Sequence, residues 1–266
     1  TFIMSAIVRV LHSLGREVVL LAPTGRAAKV FSLNSGHPAY TIHRKIYRQK
    51  AFTGDMSGFN LNANLHSDTL FIVDEASMIS NGTSFMEQAP FGSGNLLDDL
   101  VQFVSQGKNC RLMLIGDKAQ LPPVGEDESP ALISDVLRGY GLHVYESDLS
   151  EVLRQSQQSG ILWNATMIRN LLLTSSEGQA DLVLPKVRFG GFADIHQVPG
   201  NELIEQLNSS YSRVGIDETI VITRSNKRAN IYNQGIRRTV LDREDELCRG
   251  DQLMIVKNNY YWLKAD

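Results

Sequence analysis

The sequence predicts an α/β fold built on a parallel sheet, and three observations carry that prediction. Short apolar runs recur as EVVLLAP (17–23), TLFIVDEAS (69–77) and RLMLIGD (111–117). Runs of this length and composition suit strands buried between two helical layers. Segments with helical periodicity separate them, and charged residues and glycines sit where the runs end. Strand–helix alternation of this kind puts the chemistry at the carboxyl edge of the sheet.

Each element follows in order. Phe2, Ile3, Ala6, Ile7, Val10, Leu11 and Leu14 recur at helical spacing, which predicts a core-facing helix closed by Gly15. Arg9 and His12 interrupt it, and no basic segment leads it, so it is not a signal peptide. After the first strand, TGRAAKVFSLN reads as a helix opened by Thr24. Residues 48–68 turn to Gly, Asn, Ser and Asp with Phe52 and Phe59 standing alone, which is loop or hairpin material. NLLDDLVQFVSQG is an amphipathic helix, and HVYES (143–147) is a candidate fourth strand. Beyond it, ILWNATMIRNLLLTS reads as helix and residues 177–191 as a joint. NELIEQLNSSYSR (helix), TIVITRS (strand) and NKRANIYNQGIRRTVL (helix) then renew the alternation, and DQLMIVKNNYYW closes as a strand. The expected organisation is one α/β domain over residues 1–150, with a linker and the opening part of a second over 151–266.

Composition sets the outer bounds. The 266 residues carry 26 Lys+Arg against 29 Asp+Glu, a net charge of −3, and 42% are hydrophobic. That supports a core and excludes a disordered chain, a collagen or a disulfide scaffold. Cys110 and Cys248 match no CxxC or metal spacing, so a reducing cytoplasm is the expected compartment. The near-neutral balance argues against a bulk binder of nucleic acid but is compatible with a local basic groove. The longest apolar run, Val18–Ala22, is five residues, far from the roughly 20 that a membrane span needs.

Three segments carry candidate chemistry. LFIVDEASM delivers Asp74 and Glu75 to the end of a strand. The first carboxylate suits a Mg²⁺ ion and the second suits a base for water attacking a γ-phosphate. The plain alternative is a solvated strand end. In RLMLIGDKAQLPPVG, Gln120 follows Asp117 by three residues and Pro122-Pro123 stiffen what comes next. A rigidly held amide can report the state of a phosphate; the alternative, a proline-rich surface turn, leaves the Gly-Asp-x-x-Gln spacing unexplained. In LLAPTGRAAKV, the small residues at Thr24-Gly25 allow close backbone approach, and the helix N-terminus offers amides to a phosphate. Arg26 and Lys29 flank that turn and suit a polynucleotide; the alternative is a capped helix with solvated cations.

APTGRAAK, TIHR (41–44), FIVDEASM, LIGDKAQLPPVG, LSEVLRQ (149–155) and VITRSNKRANIYNQGIR occur in this order. Together they resemble the RecD-like helicases of superfamily 1, the 5′-to-3′ branch that includes TraI-type domains. PIF-type helicases share TIH and QLPPV, but DEAS and PTGRAAK fit the RecD group better. The resemblance implies two RecA-like domains with ATP and Mg²⁺ in the cleft between them and single-stranded DNA across their top. It implies duplex junctions as substrates, a place in repair and recombination, nuclease or helicase subunits as partners, and no membrane. By the same resemblance Asp74 holds Mg²⁺, Glu75 is the general base, Gln120 senses the γ-phosphate and Arg154 is an arginine finger. A guanidinium suits that last task because it stays charged and presents a planar fork; the alternative for Arg154 is a surface ion pair. Asp117 and Arg224 fall with the nucleotide contacts. Thr24, Gly25, Arg26, Lys29, Thr41, His43 and Asn226 fall with the DNA contacts. Arg224, Asn226 and nearby Asn230 suit either ligand, and His43 suits a structural role equally well.

Residues 46–68 stand where this family inserts a small pin-bearing subdomain. A hairpin tipped near Gly54–Gly58 suits duplex splitting. Phe52 and Phe59 either stack on bases or anchor the hairpin, the second being the expectation. The departures from the family are specific: no GxxxxGK[ST] occurs in the 266 residues. In the family that loop precedes a helix like residues 2–14, so Thr1 resembles its last Thr, a ligand to nucleotide and Mg²⁺. NNYYWLKAD resembles the entry to an SH3-like insert. The resemblance thus implies a chain cut at both ends that hydrolyses ATP poorly by itself. A nuclease is disfavoured because no acidic metal cluster accompanies Asp74-Glu75. A degenerate module that binds DNA or a partner without hydrolysis is the remaining alternative.

Overall fold

A computed structural model of the chain describes residues 2–49, 59–82, 92–149, 159–175 and 184–254. The chain divides into two compact units, Thr1–Ser150 and Glu151–Asp266. In chain order the first unit holds α1 (Phe2–Ser13), β1 (Glu17–Ala22), α2 (Gly25–Ser35), β2 (Ala39–Thr41), α3 (Ile42–Ile46) and β3 (Tyr47–Gln49). It continues through β4 (Phe59–Leu61), β5 (Thr69–Val73), α4 (Leu96–Gln106), β6 (Arg111–Leu114) and α5 (Ser134–Gly139). Four strands form a parallel sheet in the order β2-β1-β5-β6, and β3 pairs with β4 as an antiparallel hairpin. The α/β parallel-sheet class expected from the sequence is the class observed.

Side chains alternate across a strand, so a sheet covered on both faces needs an unbroken apolar run. Leu21, Phe71 and Val73 face one layer, with Ile42 and Ile46 of α3 and Leu97, Leu100, Phe103 and Val104 of α4. Leu20 and Ile72 face the other, with Met4 and Val8 of α1 and Phe31 of α2. Each such side chain contributes about 1.5–3 kcal/mol when fully buried. Helix α4 begins at Asn95, whose side chain accepts from the Asp98 amide at 3.1 Å, which satisfies one of the orphan donors of a helix start.

Two expectations for the first unit differ from the structure. Helix α1 forms and ends at Gly15 (φ +65°), where the Arg16 amide donates to Leu11 O at 2.9 Å. Its buried face, however, is Met4, Ser5 and Val8, while Ile3, Val10 and Leu14 are exposed. What α1 meets, namely Leu20, Phe31 and Ile72, selects that stripe. The fourth strand is β2, three residues too short to show a period, and not residues 143–147, where Tyr145 is exposed and no strand forms.

The second unit holds α6 (Gly160–Ser175), α7 (Leu203–Val214) and α8 (Asn226–Gly235), which runs into a π-helical turn at Ile236–Val240. Its described residues contain no strand. TIVITRS (219–225), expected as a strand, has no pairing partner there, and Ile220 and Ile222 are 73% and 87% exposed. The expected last strand is unpaired over 251–254, and its remainder lies outside the described residues. Local ties are polar: Asp194 accepts from Ser159 Oγ (2.5 Å) and the Gly160 amide (2.7 Å) at the start of α6. Asp251 accepts from Arg237 (2.9 Å), Arg243 (2.7 Å) and the Cys248 amide (2.8 Å), which together hold its carboxyl well below the usual range. Among the described residues no helix is long and apolar enough to cross a membrane.

The expected hairpin is present at its base, with Tyr47 opposite Leu61 and Gln49 opposite Phe59. Its expected tip, with Gly54, Gly58 and Phe52, lies outside the described residues. Phe59 and Leu61 pack against the α3–α4 core, and Phe59 O accepts from the Gly92 amide at 2.9 Å. Asn64 Nδ2 donates to Phe103 O of α4 at 3.0 Å. The strongest tie is buried: Tyr47 OH donates to Asp99 Oδ2 at 2.6 Å, and the Ser93 amide reaches the same oxygen at 3.0 Å. Burial first, then the Asp99 hydrogen bond and charge, raise the phenol well above its ordinary value. Asp99 is 3% exposed, so losing this donor leaves a buried carboxylate short of a partner. Tyr47→Phe is expected to cost about 1–3 kcal/mol, measured as a lowered urea midpoint; an unshifted midpoint would mean that water replaces the phenol.

Candidate functional site

The sheet register aligns the functional segments. Ala22 lies opposite Thr41, Leu21 opposite Val73, and Val73 opposite Leu114. The residues that leave β2, β1, β5 and β6 therefore emerge along one carboxyl edge. Asp74 still belongs to the ladder, since its amide donates to Leu21 O at 3.0 Å. Its Oδ1 accepts from the Glu75 amide at 3.0 Å, and Oδ2 takes no hydrogen bond among the described residues.

Glu75 is the conformational outlier. It adopts the left-handed region at φ +55°, ψ +39°, immediately before a 3-10 turn at Ala76–Met78. Among the described residues the other non-glycine positions with positive φ are Asp68, Asn109 and Asp242, types whose short polar side chains tolerate that region. Glutamate has no such excuse, and the conformation costs about 1–2 kcal/mol. Strain that persists is held by its surroundings and concentrates at functional positions.

The surroundings are the loop after β6. The Ala76 amide donates to Ile115 O at 2.7 Å, and the Ile115 amide donates to Val73 O at 2.9 Å. Gly116 then passes so close that a Cβ would sit 2.8 Å from the Ser77 amide nitrogen and 2.9 Å from Leu132. Only glycine fits there without displacing main chain. Asp117 Oδ1 accepts from the Ala119 amide (3.0 Å), and the Gln120 amide donates to Asp117 O (3.0 Å). These bonds form the turn that presents Gln120, whose side chain is exposed. Asp74, Glu75, Asp117 and Gln120 thus stand on two loops joined at their roots.

The β1 and β2 half of the edge carries two helix starts. Thr24 caps α2, its hydroxyl accepting from the Ala27 amide at 3.2 Å, and Thr41 caps α3 in the same way from Arg44 at 3.2 Å. Gly25 has nothing within 4 Å of where a Cβ would lie, so the fold itself does not require glycine there. Arg26 and Lys29 are exposed on the first turn of α2. Arg44 and Lys45 stack over the Tyr40 ring at 5.9 and 6.0 Å. His43 is half-buried with its ring 5.6 Å from Tyr47, and burial lowers its pKa below 6.5. It is therefore a neutral imidazole at pH 7, suited to hydrogen bonding rather than to ion pairing.

In the second unit, Arg224 and Asn226 border a hollow of about 370 Å³ at the start of α8, lined also by Ile220, Ile222 and Thr223. Ser225 caps that helix by accepting from the Arg228 amide at 3.2 Å. Asn230 lies one turn further on α8. Thr1 and Arg154 lie outside the described residues. Sequence reasoning missed Ser129 and Glu126, which brace the Glu75 turn from the far end of the Gln120 loop. Ser129-Pro130 looks like a helix-start signal, yet the hydroxyl makes no cap bond. It donates instead across the fold, to Ala76 O (2.9 Å) and Ile79 O (2.7 Å).

Among the described residues no group of three or more His, Cys, Asp or Glu could hold a metal ion. Magnesium does not require one, because it commonly keeps waters and binds through one or two carboxylates plus substrate phosphates. Asp74, with one oxygen uncommitted at the sheet edge, fits that mode.

Comparison with known proteins agrees with the α/β parallel-sheet class. The profile of the AAA domain family matches residues 1–184. The ATP-dependent RecD2 DNA helicase of Deinococcus radiodurans is 34% identical over 120 residues, which is 45% of this chain and 14% of that protein.

The His43 pKa has a consequence for stability. A histidine whose folded pKa is depressed binds fewer protons folded than unfolded, so its contribution is intact above pH 6.5 and is lost as pH falls below it. An NMR titration should place the His43 midpoint below 6.5; a midpoint at or above that value would assign it a charged partner.

Proposed function

Since the chain belongs to the AAA domain family, we propose that it is the motor segment of an ATP-dependent DNA helicase of the RecD-like branch. It moves 5′-to-3′ on single-stranded DNA and opens duplex junctions. The observation that carries this reading is the shared root of the Asp74-Glu75 turn and the Asp117–Gln120 loop, beside two threonine-capped helix starts.

The residues divide the work along the edge. Asp74 takes the Mg²⁺ of the nucleotide through its uncommitted oxygen, with Thr1 as the second ligand. The bound ion supplies charge neutralisation at the phosphates. Glu75, held out of line by its left-handed backbone, accepts a proton from the attacking water as ATP is converted to ADP and phosphate. Gln120 hydrogen-bonds the γ-phosphate through its amide and loses that partner on hydrolysis. Asp117 fixes the turn beneath it. Arg154, as the arginine finger, and Arg224 are cationic contacts for the nucleotide phosphates. No GxxxxGK[ST] occurs among the 266 residues.

The β1–β2 half grips the nucleic acid. Amides at the starts of α2 and α3 favour phosphate, Gly25 gives the backbone close approach, and Arg26 and Lys29 neutralise charge. Thr24, Thr41 and His43 supply hydrogen bonds there, and Asn226, on the second unit, is a separate candidate DNA contact. Affinity built this way is independent of base sequence and sensitive to salt. Nuclease or helicase subunits are the natural partners of such a motor.

The test uses the intact protein. Glu75→Gln should abolish ATP hydrolysis stimulated by single-stranded DNA while leaving nucleotide binding largely unchanged; wild-type turnover in the variant would remove Glu75 as the base. Nucleotide and DNA binding by the parent without turnover would instead favour a non-hydrolysing DNA-binding module. Arg26→Ala should weaken single-strand binding and flatten the log–log salt slope by about 0.7, one phosphate contact's worth. An unaltered slope would make Arg26 a structural residue.

A further inference from the structure

The Gln120 loop does not simply start at the Glu75 turn; it returns to it. At its entry, Ile115 O holds the Ala76 amide at 2.7 Å and Gly116 packs on the Ser77 amide. At its exit, Ser129, 2% exposed, donates to Ala76 O and Ile79 O at 2.9 and 2.7 Å. Three residues earlier, Glu126 Oε1 accepts from Ser80 Oγ (2.6 Å) and from the amides of Asn81 and Gly82 (both 3.0 Å). The main chain from Ala76 to Gly82 is therefore gripped on both sides by one loop.

The loop is itself braced. The Gln120 amide closes on Asp117 O at 3.0 Å and the Glu126 amide on Pro123 O at 3.1 Å. Lys118 Nζ meets Glu128 Oε1 at 3.1 Å, linking the outgoing and returning strands of the loop. Pro122 and Pro123 remove backbone freedom between them. These contacts join the Gln120 end of the loop to the end that carries Glu126 and Ser129.

We propose that Ser129 and Glu126 are positioning residues that tie the backbone of Glu75 to the loop carrying Gln120. This rests on the reading of Glu75 as base and Gln120 as sensor. Loss of the γ-phosphate contact at Gln120 then relaxes the turn that holds Glu75 in its left-handed conformation, and a new nucleotide restores it. Neither residue touches the reacting atoms.

Three variants of the intact protein test the tie. Ser129→Ala and Glu126→Ala should each lower kcat of DNA-stimulated ATP hydrolysis by about 10- to 100-fold. KM for ATP, and Kd for a non-hydrolysable ATP analogue, should stay within about twofold. Glu126→Gln keeps an acceptor oxygen and should stay near the parent, a rescue that loss of packing alone would not give. Unchanged kcat in both alanine variants, or kcat and affinity falling together, overturns the proposal. Hydrogen exchange reads the tie without turnover: in both alanine variants, amides of 75–82 and of 117–126 should lose protection together. Parental exchange in either segment also overturns it. Absence of ATPase in the parent would sink the motor reading while the exchange result still decides the tie.

Discussion

Main-chain amides in a parallel sheet must find carbonyls on both sides until the strand ends, and at the end of β5 they continue to do so one residue further than the strand. Asp74 donates back to Leu21 of β1, while Ala76 donates forward to Ile115 beyond β6. Glu75 lies between these two obligations. Its left-handed backbone is the local solution to a chain that must satisfy two neighbours at once, since buried peptide groups left unpaired are costly. The conformation is thus a product of the ladder and not of glutamate's own preference. Gly116 completes the arrangement, because the neighbouring chain approaches too closely for a side chain there.

The same edge separates charge by strand. The β1 and β2 ends lead into helix starts with Arg26, Lys29, Arg44 and Lys45, and the β5 and β6 ends carry Asp74, Glu75 and Asp117. Cationic and acidic side chains therefore occupy neighbouring halves of one edge. A net charge of −3 over the whole chain conceals this, because it averages what the sheet order keeps apart.

Much of the first unit was readable from residues alone, for a physical reason. Strands β1 and β5 are largely buried on both faces and the edge strand β6 is half-buried, so their apolar runs are unbroken, and Thr24 caps α2 where the local pattern put it. Asp74 and Glu75 follow directly from the end of such a run. Strand β2 was not readable, because three residues carry no period and their pairing depends on β1. TIVITRS misled for the converse reason: alternation states which face would be covered, not that a neighbour exists to pair. Ser129 and Glu126 were invisible because their partners lie about fifty residues away, and nothing local marks a hydroxyl or a carboxylate that serves a distant turn.

The anchoring of the hairpin base has a consequence for its own pairing. Tyr47 on Asp99 and Asn64 on Phe103 tie β3 and the chain after β4 to α4, and Phe59 O on the Gly92 amide ties β4 to the segment before that helix. With the legs clamped, the pairing of Tyr47 with Leu61 and of Gln49 with Phe59 is inherited from the neighbouring helix and the segment before it, so that alignment is dictated from outside the ribbon.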